Sequence, residues 1–199
     1  LPHPMSTLTV TRTPSGIAIA SDALTTFNDL RLPPDLDAAG EKVIAVGDAF
    51  VGVVGYTAHH LVIQDALERF EEADLSSRRG IFETFRALHP VLKEEYYLNP
   101  DTEQEGDPYE STQVSLLIAA PTGIFGVYDM REVHEFSRFW AMGSGAPFAL
   151  GAMHARWAEV DGGDLDAGAL AAVGVEAGCR FDPASGGPVT VYEVAATAG

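Results

Sequence analysis

The chain is short of cysteine and of positive charge. Its 199 residues include a single cysteine, Cys179. No internal disulfide can form, and a reducing, cytoplasmic location is the expectation. Twelve Lys and Arg stand against 29 Asp and Glu, for a formal net charge of −17. Phosphate backbones and anionic membrane surfaces are held by clustered Lys and Arg, so nucleic acid and membrane are argued against as partners. The sequence has no apolar run of about 18 residues, the length a membrane-spanning helix needs. Its opening residues lack the basic-then-apolar order of a signal peptide. Histidine, cysteine and carboxylates nowhere gather at metal-ligand spacing. Side chains of the adjacent pair His59-His60 would point about 100° apart on a helix and chelate one ion poorly. No metal and no cofactor is expected.

What is present reads as one well-packed domain. Hydrophobic residues make up 46% of the chain and charged residues 21%, an ordinary globular balance, and the length suits a single core. Leu8, Val10 and Arg12 alternate with Thr7, Thr9 and Thr11, the period of a strand. Pro14-Ser15-Gly16 is a turn, and residues 17–20 read as the hairpin partner. Residues 28–41 form a polar, proline-bearing loop. A second hairpin follows, residues 42–46 and 50–55 around Gly47-Asp48. Its glycine-rich second arm suggests backbone packed closely against something.

From about residue 57 the period becomes helical. Ile63, Ala66, Leu67 and Phe70 share one face; Ile81, Phe85, Leu88 and Leu92 share another, on a helix expected to be interrupted near Pro90. Residues 99–108 are an acidic loop. Three strands are predicted at 113–119, 124–130 and 133–142, two helices at about 146–158 and 166–181, and a last strand at 188–194. Blocks of hairpins alternating with helix pairs give an α+β fold rather than a parallel βαβ sheet. Two antiparallel sheets packed face to face, each covered outside by a helix pair, would bury every apolar face.

Four short stretches carry candidate chemistry. Met5 precedes Ser6 at the mouth of the first strand. If Met5 is the start and is removed, Ser6 becomes an N-terminal nucleophile whose own α-amine serves as base. Such an amine titrates near 7.7–8.0, well placed for neutral pH. Residues 1–5 are therefore expected to be an extension or tag remnant, and 6–199 the domain. Lys42 heads the second hairpin, Gly143-Ser144-Gly145 sits at a strand-to-helix junction, and Asp182-Pro183-Ala184-Ser185-Gly186-Gly187 precedes the last strand. Taken singly, the first three read better as an ordinary terminus, edge residue and turn, and the fourth equally well as a self-capping turn.

As an ordered set they resemble the proteasome β-subunit family of N-terminal-nucleophile hydrolases. In that family an Asp closes the second strand sixteen residues after the nucleophile, matching Ser6 and Ala20-Ser21-Asp22, with Gly16 between. Lys42-Val43-Ile44, Val53-Val54-Gly55, Gly143-Ser144-Gly145 and Asp182 to Gly187 match the family's later motifs, so the resemblance covers residues 6 to about 194. The tract YESTQVSLLIAAPTGIFGVYDMREV and the His-His after Gly55 look most like the bacterial branch described from β-proteobacteria. They look less like the ATPase-dependent two-component peptidase or the larger Anbu proteins.

The resemblance implies a four-layer α-β-β-α sandwich and amide hydrolysis through an acyl-enzyme. Ser6 would attack, Lys42 would keep the amine neutral, Asp22 would orient Lys42, and the Gly55 N–H would hold the oxyanion. Ser144, Asp182 and Ser185 would complete the network. Thr26 and the Gly55 strand would pair with an extended peptide, Val54 would belong to an open strand edge, and Val53 with Thr57 would line an apolar specificity pocket. The usual nucleophile is Thr; here it is Ser, with Thr7 next door as an alternative. The implied partners are further copies of the chain in a ring and unfolded or peptide substrates, with the need for an ATPase left open. Competing readings are a non-catalytic ring scaffold and an amidase acting on a small amide.

Overall fold

A computed structural model describes residues 6–27, 30–38, 40–100, 108–160 and 163–195. The extension at 1–5, most of the predicted acidic loop and the last four residues lie outside them.

Strands β1 (Leu8–Thr13) and β2 (Gly16–Ser21) form the first hairpin, with Leu8 opposite Ser21 and Thr13 opposite Gly16. Strands β3 (Thr25–Phe27) and β4 (Leu30–Leu32) make a small separate ribbon where the sequence suggested a loop from residue 28. Strands β5 (Val43–Val46) and β6 (Ala49–Val54) form the second expected hairpin. Helix α1 (Ala58–Arg69) follows, then α2 (Arg78–Glu94), whose N-cap Ser77 accepts a hydrogen bond from the Gly80 N–H at 3.0 Å. The expected break at Pro90 does not occur. Pro90 and Arg86, four residues earlier, are both exposed, so the carbonyl that loses its helical partner faces water.

Strands β7 (Ser115–Ala120) and β8 (Gly123–Val127) come next. The single strand expected over 133–142 is two, β9 (Val133–Phe136) and β10 (Phe139–Met142), and they belong to different sheets. Helices α3 (Ala146–Glu159) and α4 (Ala167–Phe181) lead to β11 (Thr190–Glu193). The first sheet has the order β10-β1-β2-β11 and the second β5-β6-β7-β8-β9.

Three apolar seams hold four layers together, which is the predicted α-β-β-α sandwich. Leu8, Val10 and Ile19 of the first sheet meet Val43, Val54, Leu117 and Ile124 of the second. Val51, Val53, Leu116 and Ile118 turn to the other side, against Ile63, Ile81, Phe85 and Leu88 of α1 and α2. Ala18 and Ala20 pack under Ala171 and Val175 of α4, while Ala141 meets Ala149 and Met153 of α3. Each fully buried Leu, Ile or Val contributes about 1.5–3 kcal/mol relative to exposure.

Strand β1 is buried on both faces. Thr7, Thr9 and Thr11 all have no exposed surface. The Thr9 hydroxyl donates to the Ala171 carbonyl at 2.9 Å and the Thr11 hydroxyl to the Ala167 carbonyl at 2.7 Å. These bonds satisfy polar groups that burial would otherwise penalise, and they set the register of α4 on the sheet.

At Gly52 the side chains of the first sheet fill the space a side chain of the second would need. A β-carbon there would lie 2.1 Å from Leu8 Cδ2 and 3.1 Å from Ile19 Cδ1, whereas one at Gly151 in α3 meets nothing within 4 Å. Gly52→Val is expected to lower stability by about 1–3 kcal/mol through overpacking. Gly151→Ala should raise it by about 0.5–1 kcal/mol through helix propensity. Urea unfolding of the two variants checks both signs.

Candidate active site

The site is built around the first described residue. Continuing the β1–β2 register by one step puts Asp22 across from Thr7. The Asp22 N–H donates to the Thr7 carbonyl at 3.1 Å, and the Thr7 N–H returns a bond to Asp22 Oδ1 at 3.0 Å. Strand alternation then separates neighbours. Ser6 shares the face of Leu8 and Val10, toward the second sheet. Thr7 shares the face of Thr9 and Thr11, toward α3 and α4.

Lys42 reaches the same carboxylate oxygen, Asp22 Oδ1, at 2.7 Å and donates also to the Leu24 carbonyl at 2.8 Å. Leu24 N–H and Gly186 N–H occupy Asp22 Oδ2 at 3.2 and 3.0 Å. Asp22 is 1% exposed and Lys42 6%. Four donors on one buried carboxylate offset the cost of burying its charge. The Lys42 carbonyl accepts the Val53 N–H at 3.1 Å, which holds the lysine at the same end of the hairpin as Gly55.

Gly143-Ser144-Gly145 closes over Ser6 and Thr7. Gly143 has φ of +99°, and a β-carbon there would sit 2.0 Å from the Ser6 carbonyl oxygen. A β-carbon at Gly145 would sit 1.9 Å from Thr7 Oγ1. Both glycines are thus required by close approach, and Gly143 also by its backbone conformation. The Gly145 N–H donates to the Ser6 carbonyl at 3.3 Å, and the Ser6 N–H donates to Ser144 Oγ at 3.3 Å. Ser144 and Ser185 hydroxyls both donate to Asp182 Oδ2, at 2.7 and 2.6 Å. Asp182 stands at the C-cap of α4, so the helix registered by Thr9 and Thr11 delivers it.

The structure therefore brings together Ser6, Asp22, Lys42, Ser144, Asp182 and Ser185. Gly55 stands just past β6 with φ of +129°, a conformation that favours glycine. Thr26 lies on the separate β3–β4 ribbon, and Thr57 is exposed at the start of α1.

Three expectations change. Thr7 is fully buried, and its hydroxyl lies 2.7 Å from Ser185 Oγ on the helix side of the strand, so the role of alternative nucleophile is dropped. Val53 is fully buried against α1 and α2 rather than lining a pocket. Val54 is buried between the sheets, and β6 is an interior strand paired with both β5 and β7. Its ladder with β5 ends at Lys42 and Val53, so β6 is paired on both sides as far as Val53, and only Val54 and Gly55 lie beyond that pairing.

An apolar recess is the part that sequence reasoning passed over, and the His59-His60 pair, weighed there only for metal binding and family resemblance, stands beside the site. His59 packs edge-on against Tyr56, and its Nδ1 lies 3.4 Å from where a Gly55 β-carbon would be. Burial lowers the pKa of His59. Burial, then the charges of Lys42 and His59, lower that of His60 to about 4. Both are neutral at pH 7. Among the described residues no group of three His, Cys, Asp or Glu is placed to hold a metal. Burial and then the Asp22 charge push the Cys179 thiol up to about 11, which keeps it protonated at neutral pH. A recess of about 510 Å³ lies beside Gly143, walled by Val54, Trp140, Met142 and Leu150. A second, of about 470 Å³, lies at the Gly47 end of the second sheet and holds none of the site residues.

Comparison with solved structures decides the family. The proteasome homologue BPH of Thiobacillus denitrificans is 41% identical to this chain, with a TM-score of 0.85 over 95% of this chain and 99% of that one, in a complex with epoxomicin. A second structure of that protein matches equally, covering 98% of its chain. The chain belongs to the bacterial proteasome homologue (BPH) family. The eukaryotic HslV of Trypanosoma brucei shares the fold, with a TM-score of 0.70 at 18% identity over 94% of this chain and 98% of its own. No protein-family model and no curated protein matches. The BPH fold is that of proteasome-type N-terminal-nucleophile hydrolases, and no described helix in this chain is long and apolar enough to cross a membrane.

Two predictions follow from the buried groups. Asp22→Asn, which strands the Lys42 charge, should cost about 3–5 kcal/mol, while Asp22→Leu with Lys42→Met should cost less than the sum of its single changes. A chemical-denaturation double-mutant cycle measures this. His60 is held neutral in the fold, whereas the unfolded chain takes up its proton near pH 6.5. The unfolded state thus binds more protons between pH 6.5 and about 4, and stability falls as pH drops through that window. The loss should be about 2–3 kcal/mol and should shrink in His60→Asn.

Proposed function

We propose that this BPH chain is a self-compartmentalised peptidase that cleaves peptide bonds with Ser6 as its N-terminal nucleophile, once Met5 and the residues before it are gone. The observation that carries the reading is the convergence of two separate supports on Ser6 and its neighbour Thr7. Ser144, itself bonded to Asp182, takes the Ser6 N–H, and Asp22 with Lys42 takes the N–H of Thr7, one residue along. A scaffold has no physical need for a buried ion pair and a buried carboxylate–hydroxyl chain at its first strand, because such groups rarely add stability.

The chemistry would run as follows. Ser6 Oγ attacks the carbonyl carbon of the scissile amide, and its proton passes to the Ser6 amine, directly or through a water. The Lys42 ammonium favours the neutral amine by its charge. The tetrahedral oxyanion takes the Gly55 N–H, typically the largest stabilising effect in such reactions. The C–N bond breaks as the amine returns the proton to the leaving nitrogen. Water then hydrolyses the seryl ester by the reverse sequence of proton moves. The substrate would run as an added strand past Thr26 and Gly55, with Thr57 beside the first side-chain pocket.

The complex of the Thiobacillus denitrificans relative with epoxomicin supports a site of this kind. The ring assembly is supported by the outer face of α3 and α4, where Phe148 and Phe181 are 42% and 65% exposed with ring centroids 5.7 Å apart. Large exposed apolar side chains in contact commonly mark an interface.

The test is an intact mass of the protein expressed from its own start codon, with and without a peptide epoxyketone, a warhead that needs a hydroxyl and a free amine on one residue. The expected result is a chain beginning at Ser6 that takes one adduct, lost in Ser6→Ala, within an assembly much larger than one chain by native mass spectrometry. A retained Met5, or an exposed Ser6 that never reacts, would shift the reading to a non-catalytic ring.

A further inference from the structure

Thr7 touches both halves of the site. Its N–H donates to Asp22 Oδ1, the oxygen that also takes the Lys42 ammonium. Its hydroxyl lies 2.7 Å from Ser185 Oγ. A serine hydroxyl has one proton, and that of Ser185 goes to Asp182 Oδ2. The Thr7 hydroxyl is therefore the donor. Every proton in the chain then has a direction: Thr7 to Ser185, Ser185 to Asp182, and from the other side the Ser6 nitrogen to Ser144 and Ser144 to the same Asp182 oxygen.

The surroundings leave the hydroxyl one place to go. Thr7 is fully buried, and β-carbons placed at Gly145 and Gly178 would come within 1.9 and 2.2 Å of its Oγ1. Gly145 at the N-cap of α3 and Gly178 within α4 make room for this oxygen. A valine of the same shape would fill the space and leave the Ser185 oxygen without its donor.

We infer that Thr7 is a positioning residue for the nucleophile: its hydroxyl locks Ser185 and Asp182, and through Ser144 fixes the Ser6 amine relative to Lys42. The inference rests on the reading of Ser6 as the N-terminal nucleophile. Asp22, Lys42 and Asp182 are the charged groups these bonds connect. Donation from Thr7 polarises the Ser185 hydroxyl and draws charge from the Asp182 carboxylate. Without it the carboxylate holds a protonated amine more firmly.

The test compares wild type, Thr7→Val and Thr7→Ser, each with Ser6 exposed, from about pH 5 to 9. Two quantities are followed: the rate of labelling by a peptide epoxyketone, and the titration of the Ser6 amine by competitive acetylation and mass spectrometry. Thr7→Val should label about tenfold more slowly, with its acid limb moved to higher pH, and Thr7→Ser should come within about threefold of wild type. If Thr7→Val does not fold, Thr7→Ala takes its place. A Thr7→Val chain with wild-type rate and titration overturns the inference. So does a Thr7→Ser chain as impaired as Thr7→Val, which would make the residue a packing element only. If wild type takes no label, the hydrolase reading falls, and the amine titration alone decides: a shift in Thr7→Val reversed in Thr7→Ser supports the positioning role, and no shift overturns it.

Discussion

One buried carboxylate organises the candidate site. Asp22 receives the Lys42 ammonium and the N–H groups of Thr7, Leu24 and Gly186. These donors come from the chain start, the loop after β2, the residue before β5 and the segment after α4. A carboxylate in low dielectric must be saturated with donors, because an isolated one is prohibitively costly. That requirement ties the Asp22 loop and three other pieces of chain to a common point. The two sheets and the helix layer can shift relative to one another only by breaking it.

The geometry around β1 shows how the tie is kept precise. A strand with one aliphatic face and one threonine face is buried on both sides because α4 offers carbonyls to the hydroxyls. Glycines supply the clearance. Gly174 and Gly178 admit Thr9 and Thr7 to the helix surface, and Gly143 admits the Ser6 carbonyl. Helix α4 is thereby docked at a fixed height, and its C-cap Asp182 arrives beneath Ser144. Interior packing at near-crystalline density makes such placements discrete rather than adjustable.

Much of this was legible in residue order. The hairpins, the four helices and the alternation of strand blocks with helix pairs follow from local periodicity, so the layered sandwich could be anticipated. The sixteen-residue offset from Ser6 to Asp22 is a property of one hairpin's register. The division of 133–142 into strands of different sheets was not legible, because both halves are strand-like and only distant partners, β8 and β1, separate them. The continuity of α2 through Pro90 was missed because propensity predicts the lost bond but not the solvent that replaces it. The burial of Val53 and Val54 was missed for a related reason: alternation assigns opposite faces, but says nothing of what covers each.

The sequence by itself determined which groups are present and which lie near one another along the chain. These are a hydroxyl residue at the first strand, an acid across the hairpin, a lysine before a second hairpin and two hydroxyl–glycine turns. It could be read that far because strand period, turn chemistry and motif order are local properties of the chain. Tertiary structure alone decided that Ser6 and Thr7 face opposite layers. Their side chains are equally suited to nucleophilic chemistry. The alternation of one strand between two layers turns Ser6 toward the second sheet, where Lys42 heads its first strand, and buries Thr7 against Ser185 and two helix glycines.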